Sequence, residues 1–141
     1  MAELNIDATN AVVGRMASYV AKQALLGTTI NIFNCELAVM SGRVLYNRDT
    51  FYHRIFKLGR PEKGPFNSRM PDRFVRRVVR GMVQHKTARG RAAFERVMCY
   101  IGVPDKFKDK KLIKIAKEAS ELPNLKYQTI GKLCTSLGGR V

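Results

Sequence analysis

The chain has no tryptophan, only eleven acidic residues among 141, and no apolar run near membrane-spanning length. A spanning helix needs about 18 consecutive apolar residues, so none is expected. The start, Met1-Ala2-Glu3-Leu4-Asn5-Ile6-Asp7, is acidic and lacks the basic and apolar regions of a secretory signal. Cysteine is sparse: Cys35, Cys99 and Cys134 are widely spaced, with no CxxC and no Cys/His pair at metal-ligand spacing. Buried free thiols in a reducing, cytoplasmic setting are expected, with no metal site. The first turn, Thr9-Asn10-Ala11-Val12-Val13-Gly14-Arg15, has one glycine where a dinucleotide fingerprint needs GxGxxG, and no GxxxxGK[ST] occurs anywhere. No cofactor is expected.

What is abundant is positive charge. Twenty-six Lys and Arg leave a net +15, an excess sustained most easily beside a polyanion. Its distribution is uneven. Residues 1–42 carry Arg15 and Lys22 against Glu3, Asp7 and Glu36, a net of −1. Residues 43–96 carry fifteen basic residues against Asp49, Glu62, Asp72 and Glu95, a net of +11. Residues 97–141 carry nine against four, a net of +5. Charge concentrated in the middle describes a binding surface, and nucleic acid is the expected partner. The length and the 45% apolar content fit one domain spanning 1–141, with its basic segment at about 43–96.

The first segment reads as scaffold. Leu4 to Ala8 alternates as a strand does, and Val13, Met16, Ala17, Val20, Ala21 and Ala24 recur at helical steps. Gly27 stands where a helix-ending glycine belongs, and Thr29-Ile30-Asn31-Ile32-Phe33 is a second strand. Strand, helix, strand within about thirty residues is a βαβ unit with a parallel pair. Met98-Cys99-Tyr100-Ile101 reads as a further strand. The class is α/β. A turn at Ser41-Gly42 leads into a helix through Tyr46, Thr50, Phe51, Tyr52, Ile55 and Phe56. Leu58 to Phe66 is a basic loop, broken by prolines and glycines. An ordinary surface loop and a loop ordered by a partner both fit it.

Pro71 and Asp72 suit a helix start. At 100° per residue, Arg73, Arg76, Arg77 and Arg80 fall within an arc of about 100°. Phe74, Val75, Val78, Val79, Met82 and Val83 lie opposite. Solvated helices usually mix charge signs, whereas four like charges at these spacings repel unless an anion faces them. Arginine grips phosphate bidentately and stacks on bases, which lysine does not do. Arg80-Gly81 and Arg89-Gly90 are RG steps through which backbone could approach a partner closely. The expected RNA-binding set is Arg69, Arg73, Arg76, Arg77, Arg80, His85, Lys86, Arg89 and Arg91. Lys106, Lys108, Lys110, Lys111, Lys114 and Lys117 border an expected helix with Leu112, Ile115, Ala116 and Ala119 on its apolar side. A solvated face and an RNA contact both fit these lysines.

The recognised DNA-binding patterns are missing, as is the aromatic sheet of single-strand RNA modules. Folded RNA held mainly by its backbone remains. Six motifs occur in order: Ile6-Asp7-Ala8, Val13-Gly14-Arg15-Met16-Ala17-Ser18, Asn34-Cys35-Glu36, Ser41-Gly42, Arg80-Gly81-Met82 with His85-Lys86-Thr87 and Arg89-Gly90, and Tyr100-Ile101-Gly102-Val103-Pro104. Together they resemble the thirteenth large-subunit ribosomal protein family over about residues 5–139. The resemblance implies a parallel sheet of about four strands with helices on both faces, embedded in large-subunit ribosomal RNA beside neighbouring ribosomal proteins. It also implies an early role in assembly and no catalysis. The family's RGM-x-P-HKT-x-RG stretch lies at RNA and maps onto Arg80 through Arg91. This chain departs at Gln84, where a proline is usual, so the local backbone need not copy the family's. The ending from Leu133 to Val141 resembles the archaeal type.

An RNA-acting enzyme is the competing class, with His53, His85, Glu36 and Asp7 as its candidate acid–base groups. A catalytic histidine needs an orienting partner; His85 has no acid nearby in sequence, and the Tyr52-His53-Arg54 stretch holds none. Asp7 could instead cap the turn into the first helix, and Glu36 could pair with an arginine. A regulatory RNA-binding protein acting off the ribosome is a third class that composition leaves open.

Overall fold

A computed structural model describes residues 2–60, 62–115 and 118–141. Strand β1 (Glu3–Asp7), helix α1 (Val13–Leu25) and strand β2 (Thr29–Phe33) form the expected βαβ unit. The strands pair in parallel from Glu3 beside Thr29 to Asp7 beside Phe33. All six residues expected on the apolar side of α1 are buried. The helix ends in a Schellman turn: Thr28 N–H donates to the Gln23 carbonyl at 3.2 Å, and Gly27 N–H to Ala24 at 3.1 Å. Gly27 takes φ +99°, a conformation in which a side chain would be strained.

Strand β3 (Val39–Ser41) follows, then helix α2 (Val44–Tyr52) with a π-helical turn at His53–Lys57. Helix α3 (Pro71–Met82), helix α4 (Ala88–Glu95) and strand β4 (Val97–Cys99) complete the centre. β4 pairs in parallel with β2, giving the order β1-β2-β4. The fourth segment of about four is an isolated parallel bridge of Ile113 with Ile6, on the free edge of β1. Strand β5 (Tyr127–Thr129) pairs antiparallel with β3 and leads into helix α5 (Ile130–Ser136).

Alternation along the strands sorts the parallel sheet into two unlike faces. Leu4, Ile6, Ile30, Ile32, Val97 and Cys99 share one, and α1, α3 and α4 form the core with it. The other carries Asn5 and Asn31, whose amides join at 3.1 Å, while Asn31 also donates to Glu3 at 2.9 Å. Phe33 on that side stacks with Tyr100 at 5.4 Å and meets Phe107 at 5.0 Å with the rings tilted. Phe107 belongs to a 3-10 turn, Asp105–Phe107.

The helix expected across Leu112, Ile115 and Ala119 does not form among the described residues; Ala116 and Lys117 lie outside them. Ile113 N–H donates to the Asn5 carbonyl at 2.9 Å, and its carbonyl accepts from Asp7 N–H at 3.1 Å. The open edge of β1 offers backbone partners that outweigh the helical spacing of a few apolar side chains. The basic loop, whose Pro61 also lies outside the described residues, closes as a small hairpin. Arg60 and Gly64 exchange hydrogen bonds of 3.2 and 2.9 Å.

The three cysteines are buried free thiols. The thiol of Cys99 is pushed well above its usual range by its hydrogen bond with Cys35, and further by burial. Burial and the nearby Asp72 carboxylate raise Cys134 to about 11. Both are protonated at neutral pH and behave as small apolar groups.

Candidate nucleic-acid interface

Helix α3 starts at Pro71, whose missing N–H costs nothing at a first turn, with Asp72 beside the positive end of the helix dipole. Phe74, Val75 and Val79 are buried against α1 and β4, and this anchoring turns the opposite side outward. Arg73 and Arg77 are exposed; Arg76 and Arg80 are half-buried. The four line one open groove of about 370 Å³ with Phe66, Ser68 and Phe94. Met82, expected among the apolar residues, is largely exposed at the helix end.

The four arginines are not equivalent. Arg76 Nε donates to the Val97 carbonyl at 3.0 Å, and its guanidinium lies 4.6 Å from the centroid of the Phe94 ring. It therefore ties α3 to β4 and α4. Arg77 is held below its usual range by burial first, then by the like charges of Arg80 and Arg54. Among the described residues no carboxylate forms an ion pair that relieves that crowding. Among the described residues there are three ion pairs: Lys108–Asp105 at 2.5 Å, Lys110–Glu3 at 2.8 Å and Lys114–Glu118 at 3.1 Å. All three use lysines of the 97–141 segment, so that part of the basic surface is partly neutralised. The arginine groove is not.

Arg69 rests its guanidinium 4.8 Å from the Phe56 ring centroid, and Arg54 rests 5.3 Å from Phe51. Aromatic faces thus hold three guanidiniums in fixed places. Arg54 faces Arg77 across a second cavity of about 330 Å³, walled by Phe51, Ile55, Leu58, Phe74 and Val78. Arg54, Phe66 and Phe94 are the members of this neighbourhood that sequence reasoning missed. The available signal was weak: an aromatic beside Gly64-Pro65 in a basic loop, and one cation in an aromatic helix.

His85, Lys86, Arg89 and Arg91 do not line the groove. His85 is half-buried in the Val83–Thr87 turn, and Lys86, Arg89 and Arg91 are exposed. On α4, Arg89 and Arg91 sit about 200° apart and flank the side buried through Gly90 and Ala93. They cannot face one phosphate row together. The two RG glycines also differ. Gly81 has open space around its α-carbon, as close approach by a partner requires. At Gly90 an added Cβ would collide with the Gln84 carbonyl, so this glycine serves the turn and not a partner. The Thr87 hydroxyl caps α4 by accepting from Gly90 N–H at 3.1 Å, and it donates to the Gln84 carbonyl at 2.8 Å.

Two of the candidate acid–base groups, Asp7 and Glu36, have structural duties. Burial draws the Asp7 carboxyl upward, but hydrogen bonds from Thr9 and Asn34 outweigh it and hold the group below its ordinary range. Asp7 is the turn cap that the sequence suggested, accepting from Thr9 N–H at 3.0 Å and from its hydroxyl at 2.7 Å. Glu36 does not pair with an arginine; both its oxygens accept from Gly102 N–H at 3.2 Å. Among the described residues no three His, Cys, Asp or Glu side chains could hold a metal ion, and no helix is long and apolar enough to cross a membrane.

A family model described as Ribosomal protein L13 matches residues 2–106. The chain is 43% identical over 136 residues to the large ribosomal subunit protein uL13 of Methanopyrus kandleri, covering 94% of this chain and 85% of that one. It is 39% identical over 136 residues to uL13 of Methanococcoides burtonii, covering 96% and 97%. With uL13 of Methanosarcina barkeri it shares 40% identity over 138 residues, again covering 96% and 97%. Matches of this identity across nearly whole chains, on a fold with the expected βαβ core, make the chain a member of the ribosomal protein L13 family.

Proposed function

We propose that this chain is a structural constituent of the large ribosomal subunit that binds and stabilises folded ribosomal RNA, helps early in subunit assembly, and catalyses nothing. The observation that carries the reading is the groove beside α3. Four arginines line it with no acidic partner among the described residues, and the acids that do form ion pairs serve lysines elsewhere. An uncompensated array of guanidiniums is stabilised by phosphate, and RNA held by its backbone supplies phosphates at such spacing. The printed names of the relatives agree with this role. Arg73, Arg77 and Arg80 make the primary contact, and Arg69, Lys86, Arg89 and Arg91 reach neighbouring segments. The partners are large-subunit ribosomal RNA and adjacent ribosomal proteins, in the cytoplasm, without cofactor or metal.

The test is sedimentation of native lysate through a sucrose gradient after a high-salt wash, probing each fraction for this chain. One copy per large subunit is expected. Sedimentation free, or with other RNA, would sink the ribosomal role and favour a regulatory RNA-binding protein.

A further inference from the structure

The groove beside α3 offers more than charge. Phe66 stands at its rim, 74% exposed. Three other rings of this neighbourhood each have a guanidinium on them: Phe51 has Arg54, Phe56 has Arg69 and Phe94 has Arg76. Among the described residues neither an aromatic ring nor a cation covers Phe66. One edge of the ring lies beside the backbone of Gly64. Gly64, fixed by its hydrogen bonds with Arg60, lies so close that an added Cβ would sit 3.2 Å from Phe66 Cδ2. An exposed ring with a free face, beside Arg73, Arg77 and Arg80, has the two elements that bind an unstacked nucleotide: a flat apolar platform and cations for the flanking phosphates.

We infer that Phe66 stacks on an unpaired base of the bound RNA while Arg73, Arg77 and Arg80 meet the phosphates on either side of it. The inference rests on the RNA-binding reading above and narrows it. A continuous duplex shows no base face, so the RNA segment in this groove is a bulge, loop or end. Arg76, committed to Val97 and Phe94, walls the groove without gripping the nucleotide. The sequence pointed to contact mainly through the RNA backbone, and the exposed ring adds a base contact to it.

The test compares two RNA hairpins binding to the full chain: one with a single bulged 2-aminopurine, the other with the same base paired. The bulged hairpin is expected to bind about tenfold more tightly, the usual scale of one base stacked on one aromatic ring. Phe66→Ala should abolish that preference, so that both hairpins bind with the same affinity. Phe66→Tyr should retain the preference. Equal binding of both hairpins by the unaltered chain, or a preference surviving in Phe66→Ala, overturns the stacking role. In either case, loss of paired-hairpin binding on replacing Arg73, Arg77 and Arg80 leaves the RNA-binding reading standing. Failure to bind either hairpin overturns both.

Discussion

Gly90 lies directly beneath the carbonyl of Gln84, in a space that admits hydrogen but no methyl group. Glycine in a helix is ordinarily about 1 kcal/mol worse than alanine. Here the sign should reverse. Gly90→Ala forces the turn off α4 and weakens the Thr87 cap, at a cost of about 1–3 kcal/mol as for other overpacked sites. Chemical denaturation of the purified chain measures it, and a gain in stability would refute the packing argument.

Gln84 is the centre of a tighter device. His85 N–H donates to the Val83 carbonyl at 2.7 Å, closing a γ-turn. Gln84 is not among the residues with positive φ, so the turn is of the inverse kind, near φ −75°. Val83 has φ −98° and ψ 146°, the region that a residue before proline must adopt. No hydrogen bond is donated by Gln84 N–H among the described residues. Gln84→Pro should therefore be neutral or stabilise by up to about 1 kcal/mol, through the unfolded chain. A lowered melting temperature would count against it.

The arginines of α3 should separate into two classes. Arg76→Ala loses a hydrogen bond to a backbone carbonyl and a ring contact, together about 1–2 kcal/mol of stability. Replacing Arg73, Arg77 and Arg80 by alanine should leave stability nearly unchanged, since these crowd one another. About five phosphate contacts give a log–log salt slope of roughly −3 to −5, and the triple variant should flatten it by roughly 2–3. Titrations at several salt concentrations read this out, and an unaltered slope would remove the face from the interface.

Cys134 predicts a loss of stability in alkali. Its folded pKa of about 11 lies above the ordinary thiol value of 9.0. The contribution is present in full below pH 9.0, where both states hold the proton. It is lost as pH rises from there to about 11, because the unfolded chain releases the proton first. Cys134→Ala should be less stable at pH 7 through its smaller volume, yet fall less steeply between pH 9 and 11. Parallel slopes would show that the thiol does not titrate on unfolding.

Elements with a strong local pattern were legible in the sequence. In α1 every expected apolar position is buried, and α3 divides as its spacing demanded. The pair β3 and β5 was not, since three residues each carry no readable periodicity and their partners lie far apart in the chain. Lys106 to Ala119 misled because its apolar spacing is helical while the bare edge of β1, invisible locally, drew Ile113 into a bridge. For the site, charge segregation located the helix but could not rank its arginines. Arg76 differs from Arg77 only through Val97 and Phe94, which folding brings beneath it.

The antiparallel ladder between β3 and β5 encloses everything from Gly42 to Lys126, the whole arginine-bearing stretch included. Closing a loop of that length costs about 4 kcal/mol of chain entropy, against three residue pairs in the ladder. Such a ladder forms only after the intervening chain has condensed. The contacts of α3 with α1 and β4 lie within residues 13–99, and α5 adds a smaller set from residues 130–136. During synthesis the packing of α3 on α1 and β4 can thus be in place before residues 127–141 have left the translating ribosome, and α5 docks on α3 last, as the ladder closes.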